Sequence, residues 1–165
     1  MRLSSRTPED TAALARALAD CVDAAGLTLL LDGPLGAGKT HFVKGLAEGL
    51  GIPAGRVASP TFVLAQELPR PGGGTLIHVD CYRVESEAEL EAAGLHDWLA
   101  PGSLLAVEWA ERVPGAWPAD RLSLRLERET GGEGRGLEAA AQGPAASALL
   151  ARWTEALRAA GWKPQ

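Results

Sequence analysis

The 165-residue sequence has no long apolar segment. No stretch approaches the roughly 18 consecutive apolar residues that a membrane-spanning helix needs, and the first six residues contain no apolar run. These features predict a cytoplasmic protein with no membrane association. Hydrophobic residues still make up 46% of the chain, which excludes a disordered protein. The length predicts one domain that spans residues 1–165.

Cysteine, lysine and net positive charge are also scarce. The two cysteines, Cys21 and Cys81, lack the spacing of a metal site, so we interpret both as small packing residues in a reducing compartment. Only three lysines occur, and the net charge is −5. Proteins that bind nucleic acid on their own usually carry a basic face, because phosphate contacts supply much of their affinity. We therefore expect any RNA to be contacted indirectly, through a partner.

A glycine-rich segment at residues 33–40 is the strongest functional signal. It reads Gly-Pro-Leu-Gly-Ala-Gly-Lys-Thr and lies between an apolar run at residues 27–31, typical of a buried strand, and a predicted helix over residues 39–50. Such a P-loop turns its backbone N–H groups toward phosphates, and the helix adds its positive end. We expect Lys39 to bridge the β- and γ-phosphates and the Thr40 hydroxyl to bind Mg²⁺. The segment thus predicts a site for a nucleoside triphosphate and its magnesium.

Two further predicted strands end in an acidic residue. The apolar runs at residues 75–79 and 104–107 are followed by Asp80 and Glu108. P-loop proteins place a carboxylate that supports Mg²⁺ at the end of a neighbouring strand. Glu108 has the longer reach and could complete the metal shell or orient the attacking water, whereas Asp80 could hold the water molecules of the metal. The spacing alone leaves the division of roles open.

The remaining pattern predicts an α/β fold of the P-loop NTPase class. A helix is expected from a capping box at Thr7 and Asp10 until Gly26, and residues 57–68 read as a loop that leads into a strand. The other predicted elements are helices over residues 86–93 and 144–160, and strands over residues 121–127 and 135–141. These two strands, joined by a turn, predict an antiparallel hairpin toward the C-terminus. Together the elements predict a mixed, mostly parallel central sheet flanked by helices.

Four segments occur in the order and spacing of the TsaE (YjeE) family. They are the P-loop, Ser59-Pro60-Thr61-Phe62, His78-Val79-Asp80-Cys81-Tyr82-Arg83 and Val107-Glu108-Trp109-Ala110-Glu111-Arg112. From about Thr7 to Arg135 the sequence resembles this family. The resemblance implies the ATPase component of the bacterial machinery that forms N6-threonylcarbamoyladenosine next to the anticodon of tRNA. It also implies two partners, the proteins TsaD and TsaB.

The resemblance further implies roles for individual residues. The catalytic or switch residues that it implies are Lys39, Asp80, Glu108 and Thr61, and the Mg²⁺ ligands are Thr40 and Glu108. The ATP-binding residues implied in the same way are Leu35, Gly36, Ala37, Gly38, Lys39, Thr40, Thr11 and Gly134. Trp109 would be a functional neighbour of the nucleotide.

Three alternatives to an ATPase have different signatures. A GTPase is disfavoured because no Asn-Lys-x-Asp segment occurs. A small-molecule kinase usually adds an arginine-rich lid, whereas Arg121, Arg125 and Arg128 lie on or beside a predicted strand. A nucleotide-gated binding module would hold ATP with its partners present and never release phosphate, so turnover is the property that separates it from an ATPase.

Turnover by the isolated chain is expected to be slow. P-loop enzymes that turn over quickly add an arginine that meets the charge of the transferring phosphoryl group. The nearest arginines by motif, Arg83 and Arg112, each lie a few residues beyond an acid that should face the metal, and neither is clearly aimed at the phosphate. We therefore expect partner proteins to complete the site and accelerate hydrolysis.

Overall fold

A seven-stranded sheet runs through the protein, whose computed structural model describes residues 1–23, 26–58, 63–71, 73–129 and 134–165. The strands are β1 (Arg2–Ser5), β2 (Leu27–Asp32), β3 (Ala65–Pro69), β4 (Thr75–Asp80), β5 (Leu104–Glu108), β6 (Arg121–Arg128) and β7 (Arg135–Gln142). Their order across the sheet is β1-β7-β6-β2-β5-β4-β3. The four central strands β6, β2, β5 and β4 pair in parallel. Antiparallel pairs add β3 at one edge and β7 with β1 at the other.

Helices cover both faces of the central strands. They are α1 (Pro8–Ala19), α2 (Lys39–Gly49), α3 (Glu87–Ala93), α4 (Leu95–Trp98) and α5 (Pro144–Ala159). On one face α1, α2 and α5 meet around Trp153, whose indole N–H donates to the Leu14 carbonyl at 3.0 Å and whose ring meets Phe42 edge-on. On the other face Leu90 and Trp98 from α3 and α4 pack on the sheet. Burial on both faces explains why β2 and β5 are continuous apolar runs.

The predicted α/β fold, with its mostly parallel sheet and C-terminal hairpin, is confirmed. Locally the structure adds the short helix α4, which was not predicted, and it differs from the predictions in two further places. The first helix ends at Ala19 rather than at Gly26, because the N–H groups of Cys21 and Val22 bond to carbonyls only three residues back and tighten the last turn. Strand β1 was not predicted at all. Along the described part of the chain, no helix is both long and apolar enough to span a membrane.

The topology brings the site residues predicted from the sequence to one end of the parallel strands. Since β2, β5 and β4 are parallel neighbours, their carboxyl ends lie side by side. The P-loop follows β2 at these carboxyl ends. Asp80 is the last residue of β4 and Glu108 is the last residue of β5, and the two are in direct register with each other. Ligands of open α/β sheets bind in the crevice outside such carboxyl ends.

Candidate nucleotide-binding site

The P-loop leaves β2 after Asp32 and leads into α2. Gly33 has a φ of +136°, and a Cβ at this position would overlap the carbonyl oxygen of Leu126 on the neighbouring strand β6. Gly38 stands just before α2 with a φ of +108°, in the region that L side chains rarely adopt. Glycine is therefore required at Gly33 by close approach of β6 and favoured at Gly38 by conformation.

Lys39, the first residue of α2, lies with its ammonium against the inner wall of the P-loop. Only 4% of the residue is exposed. Its Nζ donates to the carbonyl oxygens of Gly33 at 2.6 Å and Pro34 at 3.1 Å, and lies 3.6 Å from the ring centroid of Trp109. Burial lowers the pKa of Lys39, and the nearby negative charges, Glu108 foremost, oppose that shift. The result is a buried, compact positive charge beside the loop backbone.

Thr40, Glu108 and His78 form a chain of hydrogen bonds next to this lysine. The Thr40 hydroxyl donates to Oε2 of Glu108 at 3.0 Å. The other carboxylate oxygen, Oε1, lies 2.8 Å from Nε2 of His78. Glu108 is 3% exposed and His78 is fully buried, so solvent does not compete for the contact between them. The structure thus places Glu108, at the end of β5, beside the predicted magnesium-binding hydroxyl.

Asp80 occupies the matching position at the end of β4. The side chain is buried, and its Oδ1 accepts the backbone N–H of Tyr82 at 2.9 Å. This bond within the turn after β4 orients the carboxylate at the cleft that the P-loop borders. The two acids singled out from the sequence therefore lie side by side, and Glu108 is the one that meets Thr40.

Trp109 adopts a backbone conformation that is rare for its residue type. Its φ is +59°, a left-handed conformation that costs a non-glycine residue on the order of 1–3 kcal/mol. Its backbone N–H donates to the Leu31 carbonyl at 3.0 Å. Its ring contacts the Lys39 ammonium and also the ring of Tyr82, with 5.1 Å between the two ring centroids. The surrounding contacts hold the indole in the wall of the cleft. Trp109 therefore lines the cleft beside the P-loop, and its predicted position next to the nucleotide stays a prediction.

Two adjoining clefts gather most of the predicted residues. The larger, about 370 Å³, is lined by Leu35, Gly36, Ala37, Gly38, Lys39, Thr40, His41, Asp80, Tyr82, Glu108 and Trp109. The second, about 210 Å³, shares Gly38 and His41 with the first and is completed by Thr7, Pro8, Thr11 and Arg135. Another cavity of about 230 Å³ lies at the amino-terminal ends of the parallel strands, near Leu27 and Ser103. It contains none of the predicted site residues.

The remaining predicted residues have different placements. Thr11 is buried in the first turns of α1, with its hydroxyl 2.7 Å from that of Ser5, and it borders the second cleft. Gly134 precedes Arg135, and its carbonyl accepts the Glu129 N–H at 3.1 Å. Thr61, with the rest of the Ser59-Pro60-Thr61-Phe62 segment, lies outside the described residues, so its predicted role stays a prediction.

Sequence reasoning missed two arginines that approach the P-loop from the C-terminal hairpin. Arg135 Nε donates to the Ala37 carbonyl at 3.0 Å. A Cβ added at Gly36 would lie 2.8 Å from the guanidinium of Arg128. By contrast, Arg112 points its Nε to the Val84 carbonyl at 3.3 Å. The missing information was that β6 pairs with β2, which puts the end of β6 beside the loop.

A pair of acids borders the site, at the junction of β2 and the P-loop. The Glu111 N–H donates to Oδ1 of Asp32 at 3.1 Å. Burial raises the pKa of Glu111 to about 7, and its side-chain hydrogen bond to Asp32 adds to the shift. In the folded protein the Glu111 carboxyl therefore changes charge near neutral pH.

Substitution of Glu111 by glutamine is expected to flatten the pH dependence of stability. The raised pKa means that the folded state binds a proton more tightly than the unfolded state, so this contribution to stability is lost as pH rises through about 7. At pH 8 Glu111→Gln should be more stable than the wild type, by less than about 1 kcal/mol because the side chain keeps solvent contact. Urea unfolding at pH 5 and pH 8 measures this, with the exposed Glu91→Gln as control. Equal pH dependence in both variants would contradict the assignment.

Comparison with known proteins places the chain in a family. The family model described as "Threonylcarbamoyl adenosine biosynthesis protein TsaE" matches residues 5–137. The chain is 45% identical over 109 residues to the tRNA threonylcarbamoyladenosine biosynthesis protein TsaE of Streptomyces coelicolor, covering 65% of this chain and 72% of that protein. It is 41% identical over 121 residues to the protein of the same name from Bacillus subtilis, covering 73% of each.

The fold gives the same result. The crystal structure of Bacillus subtilis YdiB superposes with a TM-score of 0.75 and 30% sequence identity, over 94% of each chain. The matched segment contains the P-loop, both buried acids and the strained tryptophan described above. The chain therefore belongs to the TsaE family and has the P-loop NTPase fold of that family.

Proposed function

We propose that the protein binds and hydrolyses Mg²⁺-ATP in support of N6-threonylcarbamoyladenosine formation in tRNA. It acts in the cytoplasm with TsaD and TsaB, which contact the tRNA, in keeping with a net charge of −5. The observation that carries the proposal is the convergence of Lys39, Thr40 and Glu108 at the P-loop, within one cleft of about 370 Å³.

The donor set at this cleft fits a magnesium ion held together with phosphates. Mg²⁺ is usually bound by one or two carboxylates, water and substrate phosphates rather than by an all-protein cage. The Thr40 hydroxyl uses its proton on Glu108, which leaves the lone pairs of its oxygen for a cation. When bound, the ion would supply positive charge that offsets the negative charge developing on the phosphates during transfer. Thr40 and Glu108 would hold it.

The other residues of the site have separate roles in binding and hydrolysing the nucleotide. Lys39 exchanges its carbonyl partners for phosphate oxygens, and the N–H groups of residues 36–40 bind the phosphates at the start of α2. Both oxygens of Glu108 have hydrogen-bond partners, so its carboxylate is held in place beside the Thr40 hydroxyl. This position suits Glu108 to the role of a metal ligand. Asp80, in register beside it, is then the acid that orients the attacking water. Thr11, which lines the second cleft, and Gly134, which precedes the lining residue Arg135, would lie near the base.

The alternatives make different use of the same cleft. In a kinase, several arginines would converge on a transferred phosphoryl group. Arg121 donates to the Pro118 carbonyl at 2.7 Å and Arg125 donates to Glu127 at 2.7 Å, so of the three arginines on or beside β6 only Arg128 approaches the P-loop, at Gly36. A nucleotide-gated binding module would use the cleft without turnover. Phosphate release separates this module from an ATPase.

The test is phosphate release from ATP by the purified chain, alone and with TsaD and TsaB. We expect slow turnover alone and strong acceleration by the partners, since an arginine supplied to a P-loop site is worth about 10³–10⁵ in rate. The assay is repeated with Arg83→Ala, Arg112→Ala and Arg128→Ala. Rapid turnover of the isolated chain that collapses in one of these variants would contradict completion by partners. ATP binding with no phosphate release in any mixture would favour the binding module.

A further inference from the structure

His78 is a buried polar residue in a strand that is otherwise apolar. Its neighbours in β4 are Leu76, Ile77 and Val79. Its Nε2 lies 2.8 Å from Glu108, while its Nδ1 is buried and has no hydrogen-bond partner among the described residues. An unpaired buried nitrogen is unfavourable, and an apolar side chain would fill this position without it. The contact with Glu108 is therefore the property that distinguishes histidine here.

The contact fixes the orientation of the Glu108 carboxylate. Thr40 donates to Oε2 at 3.0 Å, and Nε2 of His78 lies 2.8 Å from Oε1, so each carboxylate oxygen is held by a different residue. An ionised carboxylate can only accept hydrogen bonds, which requires the proton of the imidazole to reside on Nε2. A carboxylate held at one oxygen alone could rotate about its terminal torsion, which is broad. With both oxygens held, it cannot rotate without breaking a buried hydrogen bond.

We propose that His78 is a positioning residue that holds Glu108 in the orientation in which Glu108 and Thr40 bind magnesium. This inference rests on the proposed function, because it assigns His78 to the same metal site. His78 touches neither nucleotide nor metal and acts through Glu108 alone. Partners of this kind orient metal ligands in many proteins, and their loss commonly costs about 10–100-fold in metal affinity or activity.

Glutamine and asparagine separate positioning from packing. The amide nitrogen of His78→Gln can reach the place of Nε2 and still donate to Glu108, whereas the shorter His78→Asn places its amide near Nδ1 and loses the bond. Binding of a non-hydrolysable ATP analogue is followed by the change in total tryptophan fluorescence while MgCl₂ is titrated, because Trp109, one of the five tryptophans, lines the cleft. Parallel titrations with EDTA measure nucleotide affinity without metal, and melting of each variant measures folding.

In His78→Asn we expect the MgCl₂ concentration for half-maximal effect to rise about 10–100-fold, with metal-free nucleotide affinity unchanged. His78→Gln should restore most of the loss. A His78→Asn variant that is folded and titrates like the wild type would overturn the proposal. Should that variant unfold, long-range ¹H–¹⁵N spectra of the wild type decide: protonation at Nε2 supports the proposal, and protonation at Nδ1 overturns it.

The same titration distinguishes this inference from the proposed function. Nucleotide binding that does not depend on MgCl₂ in the wild type, and is unchanged in Glu108→Gln, would contradict the metal site itself. Magnesium dependence that is lost in Glu108→Gln but retained in His78→Asn would contradict only the role of His78.

Discussion

Replacement of Lys39 by alanine should abolish ATP turnover. The loss removes the one positive charge that the P-loop itself supplies, and we expect at least the 10²–10³-fold drop that follows removal of a preorganised charge-stabilising donor. Nucleotide affinity should weaken as well. The free energy of unfolding should fall by no more than about 2 kcal/mol, because Lys39 lines the cleft, so water can enter in its place and donate to the Gly33 and Pro34 carbonyls.

Lys44→Ala is a matched control for this experiment. Lys44 lies on the same helix α2 but does not line the cleft, so its loss should leave turnover unchanged. Phosphate release and urea unfolding of both variants give the comparison. A large loss of stability in Lys39→Ala, or turnover equal to that of Lys44→Ala, would show that Lys39 is a structural residue.

Glu108→Gln should retain ATP binding and slow hydrolysis by about 10²–10³-fold, the cost of removing one preorganised group that stabilises charge in the transition state. The amide fits the space but carries no charge for magnesium. It also cannot accept from Thr40 and from the Nε2–H of His78 with both of its terminal atoms, since one of them is now a donor. Single-turnover phosphate release at saturating Mg²⁺-ATP measures the chemical step apart from binding.

Asp80→Asn tests the order of the two acids in the same assay. Because Asp80 is proposed to orient the attacking water, Asp80→Asn should also slow hydrolysis. The substitution should leave the MgCl₂ dependence of nucleotide binding intact. Normal turnover by Glu108→Gln together with an inactive Asp80→Asn would reverse the assignment of the two carboxylates.

Local patterns sufficed for the elements around the P-loop. The apolar run at residues 27–31 became β2, and the predicted helix over residues 39–50 became α2 at Lys39–Gly49. Both acids predicted to end strands do end β4 and β5. These predictions are confirmed because buried parallel strands and amphipathic helices have short-range signatures of composition and period.

Contacts between distant residues could not be predicted in this way. Strand β1 has only one buried apolar residue, Leu3, and forms by pairing with β7 at the other end of the chain. His78 stands in the motif that carries the family resemblance, yet its partner Glu108 is 30 positions away on another strand. The approach of Arg128 to Gly36 depends on the pairing of β6 with β2. No single-sequence period encodes which strands become neighbours or which rotamers their side chains adopt.

The central claim is that Lys39, Thr40 and Glu108 form one Mg²⁺-ATP site, and a crystal structure with a non-hydrolysable ATP analogue and Mg²⁺ tests it most directly. We expect the triphosphate along residues 36–40, the Lys39 ammonium moved from the Gly33 and Pro34 carbonyls to the phosphates, and the ion beside Thr40 and Glu108. A complex in which Lys39 keeps those carbonyls while the nucleotide or the ion occupies another part of the protein would contradict the claim.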